Sequence, residues 1–174
     1  MPISPDVKME VLIVRKAEIS EIDVLLEFEQ GIIGAERPFD STLKTGEIHY
    51  YDLKQLVLTP ESAVFVAVTG DEIVGSGYAQ IRKAESYLKH ERFAYLGFMY
   101  VKPEHRGKGV NRRILEALED WSAAQGITEL RLEVYNDNSV AVKAYEKAGF
   151  KANLLEMRME IPRKNLQRTA EILE

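Results

Sequence analysis

The stretch from Phe93 to Gly126 constrains this chain more than any other. An apolar run, Phe93 to Val101, is halted by Pro103 and Gly107, and a helical pattern follows in which Ile114, Leu118 and Trp121 recur at i, i+4 and i+7. Such a run reads as a strand buried on both faces, and an amphipathic helix directly after it calls for a sheet with helices packed on it. Between the two stands Arg106-Gly107-Lys108-Gly109. Glycines in such a turn let backbone N–H groups come close to a ligand, and the helix N-terminus adds unpaired donors and a positive dipole end. Phosphate suits that site, and Lys108, Arg112 and Arg113 add cations around it. Two other phosphate loops do not match. The nucleotide P-loop needs Gly-Lys-Ser/Thr, whereas Gly109 is followed by Val110 and Asn111, and the dinucleotide fingerprint needs a glycine where Arg112 stands.

Other segments punctuate clearly. Met9 to Arg15 is a β-branched run and predicts a strand; Ser20 is expected as the N-cap of a helix whose apolar face is Ile22, Leu25, Leu26 and Ile33. Gly34 to Tyr51 reads as a polar loop and Asp52 to Leu58 as a short helix. Ala63 to Val68 and Ile73 to Ile81 form a hairpin around Thr69-Gly70-Asp71-Glu72, and Arg82 to Glu91 is a loop or strand end. Gly126 is expected to end the long helix; Glu129 to Tyr135 alternates as a strand; Asn138 to Ala148 is a helix stopped by Gly149. Leu155, Met157, Met159 and Ile161 alternate with Glu156, Arg158 and Glu160, which predicts a last strand before a charged tail from Pro162 to Glu174. The hairpin is antiparallel and the strand–helix–strand units are parallel, so the sheet is mixed. Trp121, Met157 and Met159 sit at core spacing and are expected only to pack.

Composition narrows the function. The chain has 174 residues, no repeat and no linker-like tract, so one domain over residues 1–174, with a core at about 9–161, is the simplest reading. Its net charge of −5 argues against a nucleic-acid binder that works through a bulk positive field. With no cysteine, disulfides, thiolate metal sites and an acyl-cysteine intermediate are ruled out, and no residue is assigned to a metal. Met1 to Glu10 lacks a leader-like apolar stretch and no run is long enough to span a membrane, so a cytoplasmic protein is expected.

The segment Tyr95 to Leu115 resembles the acetyl-CoA-binding motif of the GCN5-related N-acetyltransferases, [RQ]-x-x-G-x-[GA] between a strand and a helix. Arg106, Gly109 and Asn111 occupy its three positions, with Asn111 departing from Gly or Ala. A second family pattern, N-x-x-A-x-x-x-Y-E-K-x-G-F, is filled in register by Asn138, Ala141, Tyr145, Glu146, Lys147, Gly149 and Phe150. The resemblance implies an α/β fold of the acyl-CoA N-acyltransferase type: a mixed, largely antiparallel central sheet of about six or seven strands flanked by about four helices.

It also implies an activity, transfer of an acetyl group from the cosubstrate acetyl-CoA to a primary amine of a small molecule or peptide by direct attack in a ternary complex. A binding protein that senses acetyl-CoA without transfer is the alternative. Carried over residue by residue, the backbone of Arg106, Gly107, Lys108, Gly109, Val110, Asn111 and Arg112 holds the pyrophosphate, and Met99, Tyr100 and Val101 pair with the pantetheine arm. Asn138 bonds the cofactor, or simply caps its helix, and Tyr145 protonates the departing thiolate. A phenol near 10 suits a thiol leaving group near 8.5. Some members use a Glu on the central strand as base, but that residue here is Tyr95. Glu85, His90, Glu91, Glu36 and His49 are the remaining acids and imidazoles at hand, and water-relayed deprotonation needs none of them. The loop Glu36-Arg37-Pro38-Phe39-Asp40, with Glu47, His49, Tyr50, Tyr51 and Asp52, is expected to wall the acceptor, because acids beside aromatics suit a cationic amine. A homodimer is a further family expectation.

Overall fold

The computed structural model describes residues 11–161. They form β1 (Leu12–Lys16), α1 (Ile22–Glu36), α2 (Leu53–Leu58), β2 (Ser62–Thr69), β3 (Glu72–Lys83), β4 (Arg92–Val101), α3 (Val110–Ala124), β5 (Leu130–Arg131) and α4 (Ser139–Lys147). One sheet runs β1-β2-β3-β4-β5, antiparallel throughout except for the parallel β4–β5 pair.

Each face of the sheet is covered by a different helix set. On one side Ile114, Leu115 and Leu118 of α3 pack on Ala67, Val74, Ala79, Ala94 and Leu96, and Tyr145 and Phe150 flank them. On the other, Leu25, Phe28 and Ile32 of α1 and Leu53 and Leu56 of α2 meet Val64, Val66, Tyr78 and Phe98. This is why β2 to β4 read as continuous apolar runs. Ile114 and Leu118 are fully buried, and each contributes on the order of 2 kcal/mol.

The register between β3 and β4 contains the feature that shapes the site. Ser76 pairs with Tyr100 and Tyr78 with Gly97, so Gly77 opposes both Phe98 and Met99. Two residues against one make a β-bulge, which bends the strand that carries the extra residue. Phe98 takes a φ of 57°, the only positive value at a non-glycine among the described residues. The buried Ser76 hydroxyl donates to the Phe98 carbonyl at 3.0 Å and holds the bend. A Cβ at Gly77 would stand 2.6 Å from the Met99 sulfur and 2.8 Å from Ile114, so glycine is what lets α3 settle over the bulge.

Several expectations need correction. The sheet has five strands, not six or seven. Residues 151–161 carry no regular structure, and Leu154, Leu155, Met157, Met159 and Ile161 are exposed. Alternation specifies a face but supplies no partner edge, and the two methionines therefore do not pack in the core. The Glu129–Tyr135 strand shrinks to Leu130–Arg131, because β4 turns away from it after Tyr95. Ser20 lies inside a 3₁₀ turn, Ile19–Glu21, and is not the cap. Glu21 closes that turn instead, accepting from the Glu18 N–H at 2.8 Å and from the Arg15 guanidinium at 2.6 Å. Helix α1 also runs through Gly34 to Glu36. Met9 and the Pro162–Glu174 tail lie outside the described residues. None of the described helices is long and apolar enough to cross a membrane.

Replacing Gly77 with Val is expected to lower stability by about 1–3 kcal/mol, read as a lower urea midpoint with unchanged m, since the buried Ile114 and Leu118 side chains cannot retreat freely.

Candidate active site

Where β4 and β5 part, a cavity of about 180 Å³ opens. The two strands are paired only at Ala94–Leu130 and Tyr95–Arg131. Beyond them, Met99, Tyr100 and Val101 form one wall and Glu133, Val134 and Tyr135 the other. Arg106, Asn138, Ala141 and Tyr145 close it from the turn and α4, and Ile32, Ala35 and Glu36 from the end of α1. The structure thus brings Met99, Tyr100, Val101, Arg106, Asn138 and Tyr145 to one space.

The turn after β4 has the form the sequence suggested. Gly107 and Gly109 have φ of 73° and 81°, values that favour glycine, and Gly109 is the left-handed N-cap of α3. Among the described residues, no backbone carbonyl takes the N–H groups of 107–112, and the first bond of α3 runs from Arg113 N–H to Gly109 O at 3.2 Å. Lys108, Arg112 and Arg113 are exposed around this end, and the first turn holds no acid. Arg106 donates from Nε to the Val101 carbonyl at 3.0 Å, which fastens the turn to the end of β4. Val110 differs from its neighbours: its side chain is buried in the core, so only its backbone faces the turn. Asn111 is half-buried at the same end.

Asn138 caps α4, its side chain accepting from Ala141 N–H at 3.2 Å. That bond uses the carbonyl oxygen and leaves the amide N–H donors for the cavity. Tyr145, seven residues on and two turns up the same helix, has its phenol pushed up to about 12 by burial, with the Glu36 charge adding to it. Burial also raises Glu36, against a lowering contribution from the Tyr50 hydroxyl. Tyr135 is raised by burial and by Glu36 and Asp40.

The loop between α1 and α2 is held down by α1 itself. Glu29 is fully buried and accepts from the Tyr50 and Tyr51 N–H groups at 2.7 and 2.9 Å, with His49 Nδ1 at 2.7 Å. Gln30 donates to the Ile48 carbonyl at 2.8 Å, and Arg37 donates to the Lys44 carbonyl at 2.6 Å. At the far end Asp40 takes two N–H groups of Arg158 and the backbone and hydroxyl of Thr42, and these partners hold its carboxyl well below the usual range. Phe39 stacks on Tyr135 with centroids 6.1 Å apart. Tyr50 and Tyr51 line a second cavity, of about 190 Å³, together with Asp52, Leu56, Tyr78 and Arg82.

Other candidates fall elsewhere. His90 contacts Arg131 at 2.9 Å and Glu129 at 3.4 Å, and Glu85 and Glu91 are exposed in the β3–β4 connection. Tyr95 is topped by the Arg82 guanidinium at 3.7 Å, and Glu133 beside it raises its phenol further after burial has done most. Glu133 and Tyr135 line the cavity unforeseen. Both lie on the outward side of an alternating segment, where side chains are ordinarily solvated, so no pattern marks them.

Residues 32–150, more than half of the chain, match the model of the Acetyltransferase (GNAT) family. The chain belongs to that family. An aminoglycoside N(6')-acetyltransferase of Stenotrophomonas maltophilia is 32% identical over 57% of this chain and 66% of its own length. A streptothricin acetyltransferase of Streptomyces lavendulae is 34% identical over 52% of this chain and 45% of its own. The chain therefore spans between about half and two thirds of these relatives. A Clostridium acetobutylicum protein described as a predicted acetyltransferase, solved with acetyl-CoA, superposes with a TM-score of 0.64 at 18% identity, over 85% of this chain and 96% of its own, and shares its fold. Acetyl-CoA is the cosubstrate the GNAT family uses, and the turn fits it: free amides and cations suit a diphosphate, and the parted strand edge suits an amide-bearing arm.

Replacing Glu29 with Leu should cost about 2 kcal/mol or more, because two loop amides lose their buried acceptor. Glu29 holds the His49 value above its ordinary one, so this ion pair contributes fully below the unfolded value and fades as pH rises through the folded one. The protection factors of the Tyr50 and Tyr51 amides, taken relative to the base-catalysed exchange of a free amide, should therefore fall on the alkaline side in the parent, and be lower at all pH values in Glu29→Leu.

Proposed function

We propose that this protein is an acetyl-CoA-dependent N-acetyltransferase that acts on a primary amine of a small molecule or peptide. One observation supports it above the rest: the free amides of 107–112 and the free edge of β4 at Met99–Val101 lead into a cavity that holds Tyr145. Relatives named for aminoglycosides and streptothricin agree with a small-molecule acceptor. So do the carboxylates Glu36 and Glu133 on the cavity wall, which favour a cationic ligand.

When bound, acetyl-CoA supplies an activated thioester. The chain's own groups do the rest in this reading. Backbone donors from Gly107 to Arg112 hold the diphosphate, while Lys108 and Arg112 offset its charge. The edge of β4 orients the arm, and its N–H groups face oxygen atoms on which negative charge grows during transfer. Tyr145 is the proton donor to the leaving sulfur. Its raised value keeps it protonated across the working range. The absence of cysteine agrees with direct transfer.

Arg106→Glu combined with Gly109→Glu should abolish acetyl-CoA binding in calorimetry, and should also lower the melting temperature, because residue 109 sits at a φ of 81° and Arg106 ties the turn to β4. Tyr145→Phe should leave that affinity intact and lower kcat by about 10²-fold in a CoA-release assay. In the parent, kcat should show no alkaline fall due to Tyr145 up to about pH 10, because the phenol titrates at about 12. A Tyr145→Phe variant as fast as the parent ends its assignment as acid.

A further inference from the structure

We propose that the Glu36 carboxylate, on the last turn of α1, holds the acceptor's ammonium group and accepts its proton. The inference rests on the transfer reading above and supplies the base that reading leaves open. Strand β4 has no carboxylate or imidazole anywhere along it, so the sheet cannot provide one from its central position.

Four acids stand near the cavity; two are already engaged, and a third, Glu133, lies beside the Tyr95 phenol. Glu29 is sealed in the core with His49 and two backbone amides. Asp40 is bound by Arg158 and Thr42. Glu36 has no cation on it among the described residues, because the neighbouring Arg37 is turned to the carbonyls of Lys44 and Gly46.

A second observation points to a ligand beside it. The Tyr50 hydroxyl is buried and has no partner at hydrogen-bonding distance, although it lies near enough to Glu36 for each group to shift the other. An amine nitrogen placed between them would bond both. A buried hydroxyl left without a partner costs about 1–3 kcal/mol, so an occupant that satisfies it is favoured.

The surroundings suit a proton acceptor. Glu36 faces Tyr50 from the loop, Tyr135 from beyond β5, and Tyr145 and Asn138 from α4, with Met99 and Tyr100 of β4 across the cavity and Glu133 and Arg106 on its rim. Phenols dominate that ring, and burial raises those of Tyr50, Tyr135 and Tyr145 above their ordinary value. Burial raises Glu36 above an ordinary carboxylate, which brings it nearer the range where a base works well. Tyr145, the proton donor, feels the same charge from the other side, so acid and base occupy one cavity.

The protons balance. The ammonium gives one proton to Glu36, and the freed lone pair forms the C–N bond to the acetyl carbon. The C–S bond breaks, its electron pair leaves on sulfur, and the Tyr145 proton joins that sulfur. The second proton of the nitrogen restores Tyr145, and Glu36 releases the first to solvent. Amide, thiol and one proton result.

The test is the pH dependence of kcat/KM in a CoA-release assay with spermidine, neomycin, lysine and a peptide with a free N-terminus. The parent should show a plateau through the neutral range, because Glu36 removes the proton at any pH above its own value. In Glu36→Gln only amine already deprotonated in solution reacts. With an alkylamine such as spermidine the rate should then fall by about 10²-fold at pH 7 and climb tenfold per pH unit toward the amine value of about 10, whereas a peptide N-terminus, at about 8, should lose less. Glu36→Asp should restore part of the plateau. Acetyl-CoA affinity and melting temperature of Glu36→Gln should match the parent, which separates loss of a base from loss of fold. A parental plateau in Glu36→Gln overturns the assignment, as does loss of the plateau in Glu133→Gln with Glu36→Gln unaffected. A parent that binds acetyl-CoA yet releases no CoA with any of these amines overturns the transfer reading first, and the base with it.

Discussion

The bulge at Phe98 and Met99 is the constraint on which the site depends. Opposite it, β3 contributes a single residue, Gly77, and the Ser76 hydroxyl ties the bent carbonyl in place. A straight β4 would continue its parallel ladder with the segment after Ile127. Instead pairing stops at Tyr95, and the next backbone groups of β4 face a cavity. Hydrogen-bonding groups withheld from a sheet must find another partner, and an extended amide-bearing ligand supplies one. The strain at Phe98, on the order of 1–3 kcal/mol, is offset by full burial of its ring against Tyr51.

A second constraint acts from the opposite face. Glu29, wholly buried in α1, gathers the amides of Tyr50 and Tyr51 and the ring of His49. A buried carboxyl with its acceptors filled tolerates its loss of water, and here it fixes the end of a long loop. That placement stands Tyr51 edge-on to Tyr78 and Phe98 and sets Tyr50 beside Glu36. The loop is therefore pinned by buried hydrogen bonds, although its sequence is polar. The turn at the head of α3 needs less: two glycines, a helix end and a few cations make it a local device.

That difference explains what could be read from residues alone. The turn Arg106–Asn111, the cap at Asn138 and the position of Tyr145 depend on neighbours a few residues away, and local spacing reports such things. The Glu129–Tyr135 segment alternates as a strand should, yet pairs only at Leu130 and Arg131, because the bend of its neighbour lies far off in sequence. Leu155 to Ile161 alternates as well and finds no ladder among the described residues. Periodicity tells which side chains share a face; it says nothing of whether an edge is free to receive them.

Glu36 and Glu29 show the same division at the level of chemistry. In the sequence Glu29 is an unmarked acid on the first helix, and Glu36, seven positions on, is one of several candidate acids and imidazoles, assigned to the loop that follows. The structure seals one in the core as an anchor and brings the other to the cavity beside three phenols. The chain by itself determined the two-faced sheet, the glycine turn at the head of α3 and the family, since each rests on short-range pattern and backbone permissiveness. Only the tertiary structure decided which carboxyl lines the cavity, because burial and charge environment come from segments that meet in space and not along the chain.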